Sequence, residues 1–250
     1  QEAAKPAAEA PKYGGTLNLV ISADVTRHDP IDGSTSGPTI NMVYENLWTG
    51  DWTKGPAGGY GTSETRWTNN TVDIWEHKRG VIAESTTWTT DPQKNEGKIV
   101  YKIRQGVRWV INPASWAEAS RIVGGRELTA DYVVAHFKRA ITVPTTYFYL
   151  GTPELRVAKI AKTGPWEVTV QLPLDAMVSG IARFGDSTQI VAPEVVARYG
   201  TSGNWKNSVS TGAFMINDYV SGSLIILVKN PNYWDKYPIG PGKGNQLPYV

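Results

Sequence analysis

The sequence predicts a mixed α/β (α+β) fold, because strand and helix patterns alternate along its 250 residues without a regular βαβ order. Hydrophobic residues make up 40% of the chain and charged residues 19%, which is typical of folded globular proteins. A chain of this length can bury a substantial core, either as one large domain or as two smaller ones. The sequence contains no internal repeat of solenoid or propeller length.

The first segments are a linker and a strand. Residues 1–12 contain only Ala, Pro, Glu, Lys and Gln, and such a segment is expected to form an extended linker because it has nothing to bury. The alternatives are a frayed end and a spacer between a removed anchor and a folded body. Residues 16–21 then predict the first strand, and a polar loop with two Asp-rich turns follows over residues 22–37.

A helix is predicted from residue 38, where a proline suits the first helical turn. Its apolar side chains recur at i, i+3, i+4 and i+7 and predict one buried face: Ile40, Val43, Tyr44 and Leu47. Residues 49–70 show no period and are interpreted as loop or short irregular strands. Strand pattern returns at residues 81–83 and 86–89, before a turn at Asp91-Pro92.

The remaining chain predicts further strands and helices. Residues 98–104 alternate strictly, which indicates a half-buried antiparallel strand with Ile99, Tyr101 and Ile103 on its buried face. Thr129 is placed to cap a helix that runs to about residue 141. Two hairpins and a short helix complete the prediction: residues 155–161 with 166–172, residues 213–219 with 223–229, and residues 193–200.

Composition and charge exclude several classes of function. The net charge is +2 with both signs interspersed, so there is no electrostatic case for nucleic acid or for an anionic membrane. The chain has no cysteine, which excludes disulfides and thiolate sites. No apolar run approaches the roughly 20 residues that span a bilayer.

Signals for catalysis or metal binding are weak. The three histidines, His28, His77 and His136, form no paired metal-binding motif, so no metal site and no cofactor are expected. A Ser-His-Asp arrangement stays open on composition, but no Gly-x-Ser-x-Gly elbow occurs. We therefore expect no catalytic residues and a protein that is not an enzyme.

A series of motifs in one order resembles the bacterial extracellular solute-binding proteins of family 5, which take up peptides, nickel chelates and some oligosaccharides. The resemblance covers residues 13–237. It departs from the family pattern by about ten extra residues within 110–123. The matching residues are Gly14-Gly15-Thr16-Leu17, Asp29-Pro30, Val43-Tyr44-Glu45-Asn46-Leu47, Ile82-Ala83-Glu84-Ser85 with Trp88, Tyr101 to Trp109, Gly125 to Val133, Val168 to Leu172, Ile190-Val191-Ala192-Pro193, Ser210-Thr211-Gly212-Ala213-Phe214 and Asn230-Pro231-Asn232-Tyr233-Trp234-Asp235. A second departure is Ser210-Thr211-Gly212-Ala213, where the family usually has Gly-Thr-Gly-Pro.

The resemblance implies a periplasmic-binding-protein-like type II lobe with an inserted, β-rich subdomain. Residues 13–49 and 184–250 would form the discontinuous core of the first lobe, and residues 50–183 would form the insert. Because the chain stops soon after the Asn-Pro-Asn-Tyr-Trp-Asp motif, the second lobe is expected to be largely absent. Ligand is then captured between two lobes that close by a hinge.

The implied partners follow from the same resemblance. They are a small peptide or oligosaccharide ligand, the transmembrane permease subunits of an ABC importer and the remaining C-terminal lobe of the same protein, without nucleic acid. The implied location is extracytoplasmic, in the periplasm or on the outer cell surface, with lipid anchoring through a removed N-terminal segment. Peptide is the default ligand class of the family.

The resemblance also places three segments near the ligand cleft: the loop after the first strand, the end of the first helix and the segment before residue 190. For each residue, ordinary packing or a solvated loop remains an open alternative. The candidate ligand-binding residues are Ser22, Ala23, Asp24, Val25, Tyr44, Trp48, Arg183 and Phe184.

Tryptophan is unusually frequent, with ten residues. Trp88, Trp109 and Trp234 lie on family motifs and are expected to pack in the core or between the lobes. Others lie in polar segments and would either stack on sugar rings or peptide side chains or merely cover the surface: Trp48, Trp52, Trp67, Trp75 and Trp116. The alternative function is therefore oligosaccharide binding, by the same receptor type or by a single-lobe carbohydrate-binding module.

Overall fold

The structure is a computed structural model that describes residues 14–21, 24–25, 27–32, 38–54, 75–238 and 243–247. It confirms the mixed α/β class. Its helices are α1 Pro38–Val43, α2 Glu118–Val123, α3 Ala130–Thr142, α4 Tyr147–Gly151, α5 Met177–Asp186 and α6 Pro193–Tyr199. Its strands are β1 Trp48–Gly50, β2 Lys78–Gly80, β3 Ala83–Asp91, β4 Glu96–Ile103, β5 Lys159–Gly164, β6 Glu167–Leu172, β7 Phe214–Val220 and β8 Leu224–Lys229.

A four-stranded antiparallel sheet in the order β3-β4-β6-β5 carries most of the described core. The strict alternation on β4 has the predicted effect, because Ile99, Tyr101 and Ile103 are buried while Lys98 and Lys102 are exposed. Helix α3 packs on β5 and β6, whereas α5 packs on β4 and β1. One face of the sheet therefore lies under helices, and the other is polar.

Helix α3 begins after Thr129 as predicted, although the Thr129 side chain makes no capping hydrogen bond. Its predicted apolar stripe is fully buried: Val133, Phe137, Ala140 and Ile141. His136 is buried on the same helix, and its Nδ1 accepts a hydrogen bond from the Val191 backbone N–H at 3.3 Å. This contact connects α3 to the chain just before α6.

A second hydrophobic cluster joins the start of the described chain to its end. Its buried members are Val25, Ile40, Val43, Tyr44, Val191 and Ile216. The predicted hairpin of β7 and β8 packs against this cluster through Ile225 and Leu227. Residues that are far apart in sequence are therefore held together beside one hairpin.

One predicted strand is wrong. Residues 16–21 form no strand, and Leu17, Leu19 and Val20 lie on the surface, since no other described strand pairs with this segment. Trp88 lies outside the core and is 38% exposed, because β3 is the edge strand of its sheet and only part of the indole is covered, in an edge-to-face contact with Trp75. Its packing against a second lobe stays a prediction.

Other predictions differ in extent. Helix α1 ends at Val43, four residues before the last residue of its predicted apolar face. The strand predicted over 155–161 starts at Lys159, because Pro153–Val157 forms a 3₁₀ helix. The linker at residues 1–12 and most of the segment 49–70, including Trp67, lie outside the described residues.

Candidate functional site

The exposed carboxylate of Asp24 joins the loop before α1 to the turn between β7 and β8 by hydrogen bonds. Its Oδ2 accepts hydrogen bonds from the Tyr219 hydroxyl at 2.8 Å, the Ser221 hydroxyl at 2.9 Å and the Gly222 backbone N–H at 2.8 Å. Its Oδ1 accepts from the Val25 N–H at 2.9 Å. Gly222 has a φ of 71°, which the tight turn requires and which glycine adopts without strain.

These hydrogen bonds stabilise the ionised form of Asp24. The Gly222 N–H, followed by the Tyr219 and Ser221 hydroxyls, lowers the pKa of Asp24 below its ordinary value. Asp24 is therefore a solvent-exposed carboxylate that stays ionised at neutral pH. A fixed anion on an anchored loop can attract a cationic group of a ligand.

Behind this loop, the neighbouring candidates Val25 and Tyr44 are buried in the second cluster. The Tyr44 hydroxyl lies 2.7 Å from the Ser208 Oγ, and burial raises the pKa of Tyr44. Its ring is packed away from solvent, and its hydroxyl meets a protein group. In this structure Val25 and Tyr44 pack in the second cluster, beneath the loop that carries Asp24.

The other described candidates lie around α5. Trp48 and Phe184 are fully buried in the main core, and Phe184 packs at 4.7 Å between ring centroids against Phe137. The Leu47 N–H donates to the Gly185 carbonyl at 2.9 Å, which aligns β1 with the end of α5. Arg183 is half-buried and retains accessible surface.

The structure thus separates the candidates into two groups. Asp24, Val25 and Tyr44 lie around the second cluster, whereas Trp48 and Phe184 belong to the main core. Ser22 and Ala23 lie outside the described residues. Sequence reasoning missed the partners of Asp24 in the hairpin turn, because a turn motif shows that the chain reverses but not which distant loop it meets.

Three family-like motifs converge on the buried carboxylate of Glu45. It accepts hydrogen bonds from the Thr211 hydroxyl at 2.7 Å, the Tyr233 hydroxyl at 2.8 Å and the Trp234 Nε1–H at 3.0 Å. Burial raises the pKa of Glu45 to about 7, although these three donors oppose the shift. Glu45 therefore holds the segment after β8 against the end of α1.

Two arginines contact the residues next to Tyr233 on the same segment. Arg104 lies over the Trp234 ring, with 4.5 Å from its guanidinium carbon to the ring centroid. Arg79 forms an ion pair with Asp235 at 2.8 Å. The Asn-Pro-Asn-Tyr-Trp-Asp segment is consequently held by hydrogen bonds, a cation–π contact and a salt bridge.

The described residues hold no cluster of three or more His, Cys, Asp or Glu side chains that could bind a metal ion. None of the described helices has the length and apolar character needed to cross a membrane.

Several solved structures of binding proteins are similar to this chain. The oligopeptide-binding protein AppA from Bacillus subtilis, in complex with a nonapeptide, matches with a TM-score of 0.60 and 20% identity, over 89% of this chain and 38% of AppA. OppA from Haemophilus influenzae, in complex with RPPGFSPFR, matches with a TM-score of 0.56 and 18% identity, over 85% of this chain and 37% of OppA. MoaA from A. tumefaciens R10, in complex with mannopinic acid, matches with a TM-score of 0.57 and 17% identity, over 85% of this chain and 36% of MoaA.

The chain therefore shares the fold of these three binding proteins. The chain belongs to the bacterial extracellular solute-binding proteins, family 5, since the model of the middle region of that family matches residues 79–250. It spans 36–38% of the length of the three solved structures. No curated protein sequence matches it.

Proposed function

We propose that the chain is the first lobe of the substrate-binding component of an ABC importer, which captures an oligopeptide and delivers it to the membrane permease. The observation that carries this proposal is the family match over residues 79–250. AppA and OppA, which share the fold, are seen with bound peptides. A protein of this kind binds its ligand without transforming it.

The proposed architecture is a first-lobe core of residues 13–49 and 184–250 with a subdomain inserted at 50–183. The second hydrophobic cluster supports this division, because all its buried members come from the two core segments. The main cluster, however, contains residues from the core and from the insert, such as Phe184 and Phe137. The insert is therefore expected to move with the core as one lobe.

Asp24 is the strongest proposed ligand contact among the candidates. It combines an ionised carboxylate, exposure to solvent and an anchored position, and a peptide offers a matching ammonium group. Arg183 has accessible surface and is the next candidate. Ligand contact by Tyr44, Trp48 or Phe184 requires movement of a buried side chain.

The location proposed with this function is extracytoplasmic, with residues 1–12 as the tether to a lipid anchor. The proposed partners are the permease subunits and the C-terminal lobe of the same protein. Oligosaccharide capture is the second candidate function, and the observation that favours it is a pair of half-buried tryptophans, Trp116 and Trp205, in ring contact at 4.6 Å.

Ligand class is tested on the protein expressed from its complete coding sequence. The protein is unfolded and refolded to release any bound molecule, and then titrated by calorimetry with peptide mixtures of two to nine residues and with oligosaccharides. Micromolar or tighter peptide binding with no response to sugars is expected. Sugar binding alone would assign the receptor to oligosaccharides, and native mass spectrometry before refolding identifies the ligand carried from the cell.

A further inference from the structure

We propose that residues 110–123 add an aromatic subsite to the ligand-binding site, which takes a large aromatic side chain of a bound peptide. The subsite is an aromatic row, defined as Trp116, Trp205 and Tyr219. The inference rests on the proposed function, since it assumes a peptide ligand. It concerns the segment in which the motif resemblance predicts extra residues.

Residues 110–123 are anchored to the body of the protein rather than loosely attached. The Asn112 side chain is buried, and its Nδ2 donates to the Ile216 carbonyl on β7 at 2.8 Å. The Val110 N–H donates to the Ser210 carbonyl at 2.8 Å. Helix α2, at the end of the segment, packs on α6 and on the 3₁₀ helix Trp205–Asn207. The position of Trp116 is therefore determined by the body of the protein.

The row connects this segment to the candidate site. Trp116 contacts Trp205 edge-to-face, with 4.6 Å between ring centroids. Trp205 contacts Tyr219 in the same manner at 6.4 Å, and the Tyr219 hydroxyl lies 2.8 Å from the Asp24 Oδ2. The aromatic row thus begins in the segment 110–123 and ends at the exposed carboxylate of Asp24.

All three rings are half-buried, so each combines a fixed position with surface that remains accessible. Rigid aromatic side chains lose little conformational entropy when they pack against a ligand ring, and edge-to-face contacts between rings are favourable. The row carries the Asp24 anion at its end and the Lys206 ammonium over Trp205, with 5.6 Å from the Nζ to the ring centroid, and the anion can pair with a positive group of the ligand. A peptide with an aromatic residue near its N-terminal ammonium has both features.

The test measures a preference rather than a single affinity. The protein expressed from its complete coding sequence is titrated by calorimetry with two peptides that differ only by Phe or Ala at the second position. The wild type is expected to prefer the Phe peptide by about tenfold. In Trp116→Ala this preference is expected to fall to about twofold or less, and in Trp116→Phe most of it should remain.

Trp88→Ala is the matched control, because Trp88 is also a partly exposed tryptophan but lies on the edge strand β3. It should leave the Phe-over-Ala preference unchanged. If Trp116→Ala does not fold, the subsite is tested on the wild type instead, by following the indole ¹⁵N–H resonance of Trp116 during the peptide titration. That resonance should shift on addition of the Phe peptide and much less with the Ala peptide.

The outcomes separate the two proposals. If the wild type binds neither peptide, the proposed peptide function fails together with the subsite. If it binds both, but Trp116→Ala keeps the full preference or the Trp116 resonance responds equally to both, only the aromatic subsite is overturned. Sugar binding that Trp116→Ala weakens would assign the row to sugar rings and would also overturn the inference.

Discussion

Glu45 shows, at the scale of a single residue, how a buried carboxylate makes stability depend on pH. It is ringed by three donors, yet burial raises its pKa to about 7 from an ordinary value of 4.5. Between these two pH values the folded state binds the proton more tightly than the unfolded state does. Its contribution is therefore most favourable below pH 4.5 and is lost as the pH rises through 7.

Glu45→Gln is expected to remove this pH-dependent contribution to the free energy of unfolding, because the amide does not titrate. The difference in free energy of unfolding between wild type and variant should change by on the order of 2–3 kcal/mol between pH 4.5 and 7.5, with the wild type losing more stability. Urea unfolding across that range measures it. Glu118→Gln is the control, because Glu118 is exposed on α2. Parallel curves for wild type and Glu45→Gln would show that Glu45 does not titrate in this window.

The sequence contained Glu45 and its partners, in three separate motifs, but gave no sign that they meet. Periodicity predicts which side of an element is buried, and it correctly predicted the burial of Tyr101 on β4 and Phe137 on α3. Contacts between distant motifs depend on the tertiary packing. The same limit explains why the link between Asp24 and the hairpin turn could not be predicted.

At the scale of elements, a strand pattern is insufficient without a partner strand. Residues 98–104 and 166–172 were predicted as strands, and they pair in one sheet. Residues 16–21 have an equally apolar composition but form no ladder with a described strand. Helix α5 was missed because it holds two glycines, Gly180 and Gly185, which lower helix propensity.

Those glycines have a packing reason, and Gly185 gives a testable case. A Cβ at this position would overlap the indole of Trp48, which is buried in the main core beside α5. Gly185→Ala is expected to lower the free energy of unfolding by about 1–3 kcal/mol, since the core must move to accept the methyl group. Chemical denaturation followed by tryptophan fluorescence measures the loss.

Gly151→Ala is the matched control for this prediction. A Cβ at Gly151 would have no atom within 4 Å, so the substitution should change stability by less than about 0.5 kcal/mol. Equal effects of the two substitutions would mean that the approach of α5 to β1 is not close. A large effect at Gly185 would identify Trp48 as a packing residue rather than a freely available ligand contact.

At the scale of the whole molecule, the decisive question is whether residues 1–250 bind ligand by themselves. In a two-lobed receptor, affinity comes from contacts that both lobes make in the closed state. The chain covers 38% of AppA, so most of such a contact surface would come from outside these residues. A single-lobe carbohydrate-binding module, in contrast, would present a complete site.

We therefore expect residues 1–250 to bind the ligand of the complete protein at least about a hundredfold more weakly, which corresponds to the loss of roughly 2.7 kcal/mol. Calorimetry on both proteins with the same ligand measures the difference, and small-angle scattering should show the complete protein contracting when ligand is added. Equal affinity would contradict the two-lobe proposal. If that ligand were a sugar, it would instead establish the single-lobe module, because one lobe alone would then supply every contact that binding requires.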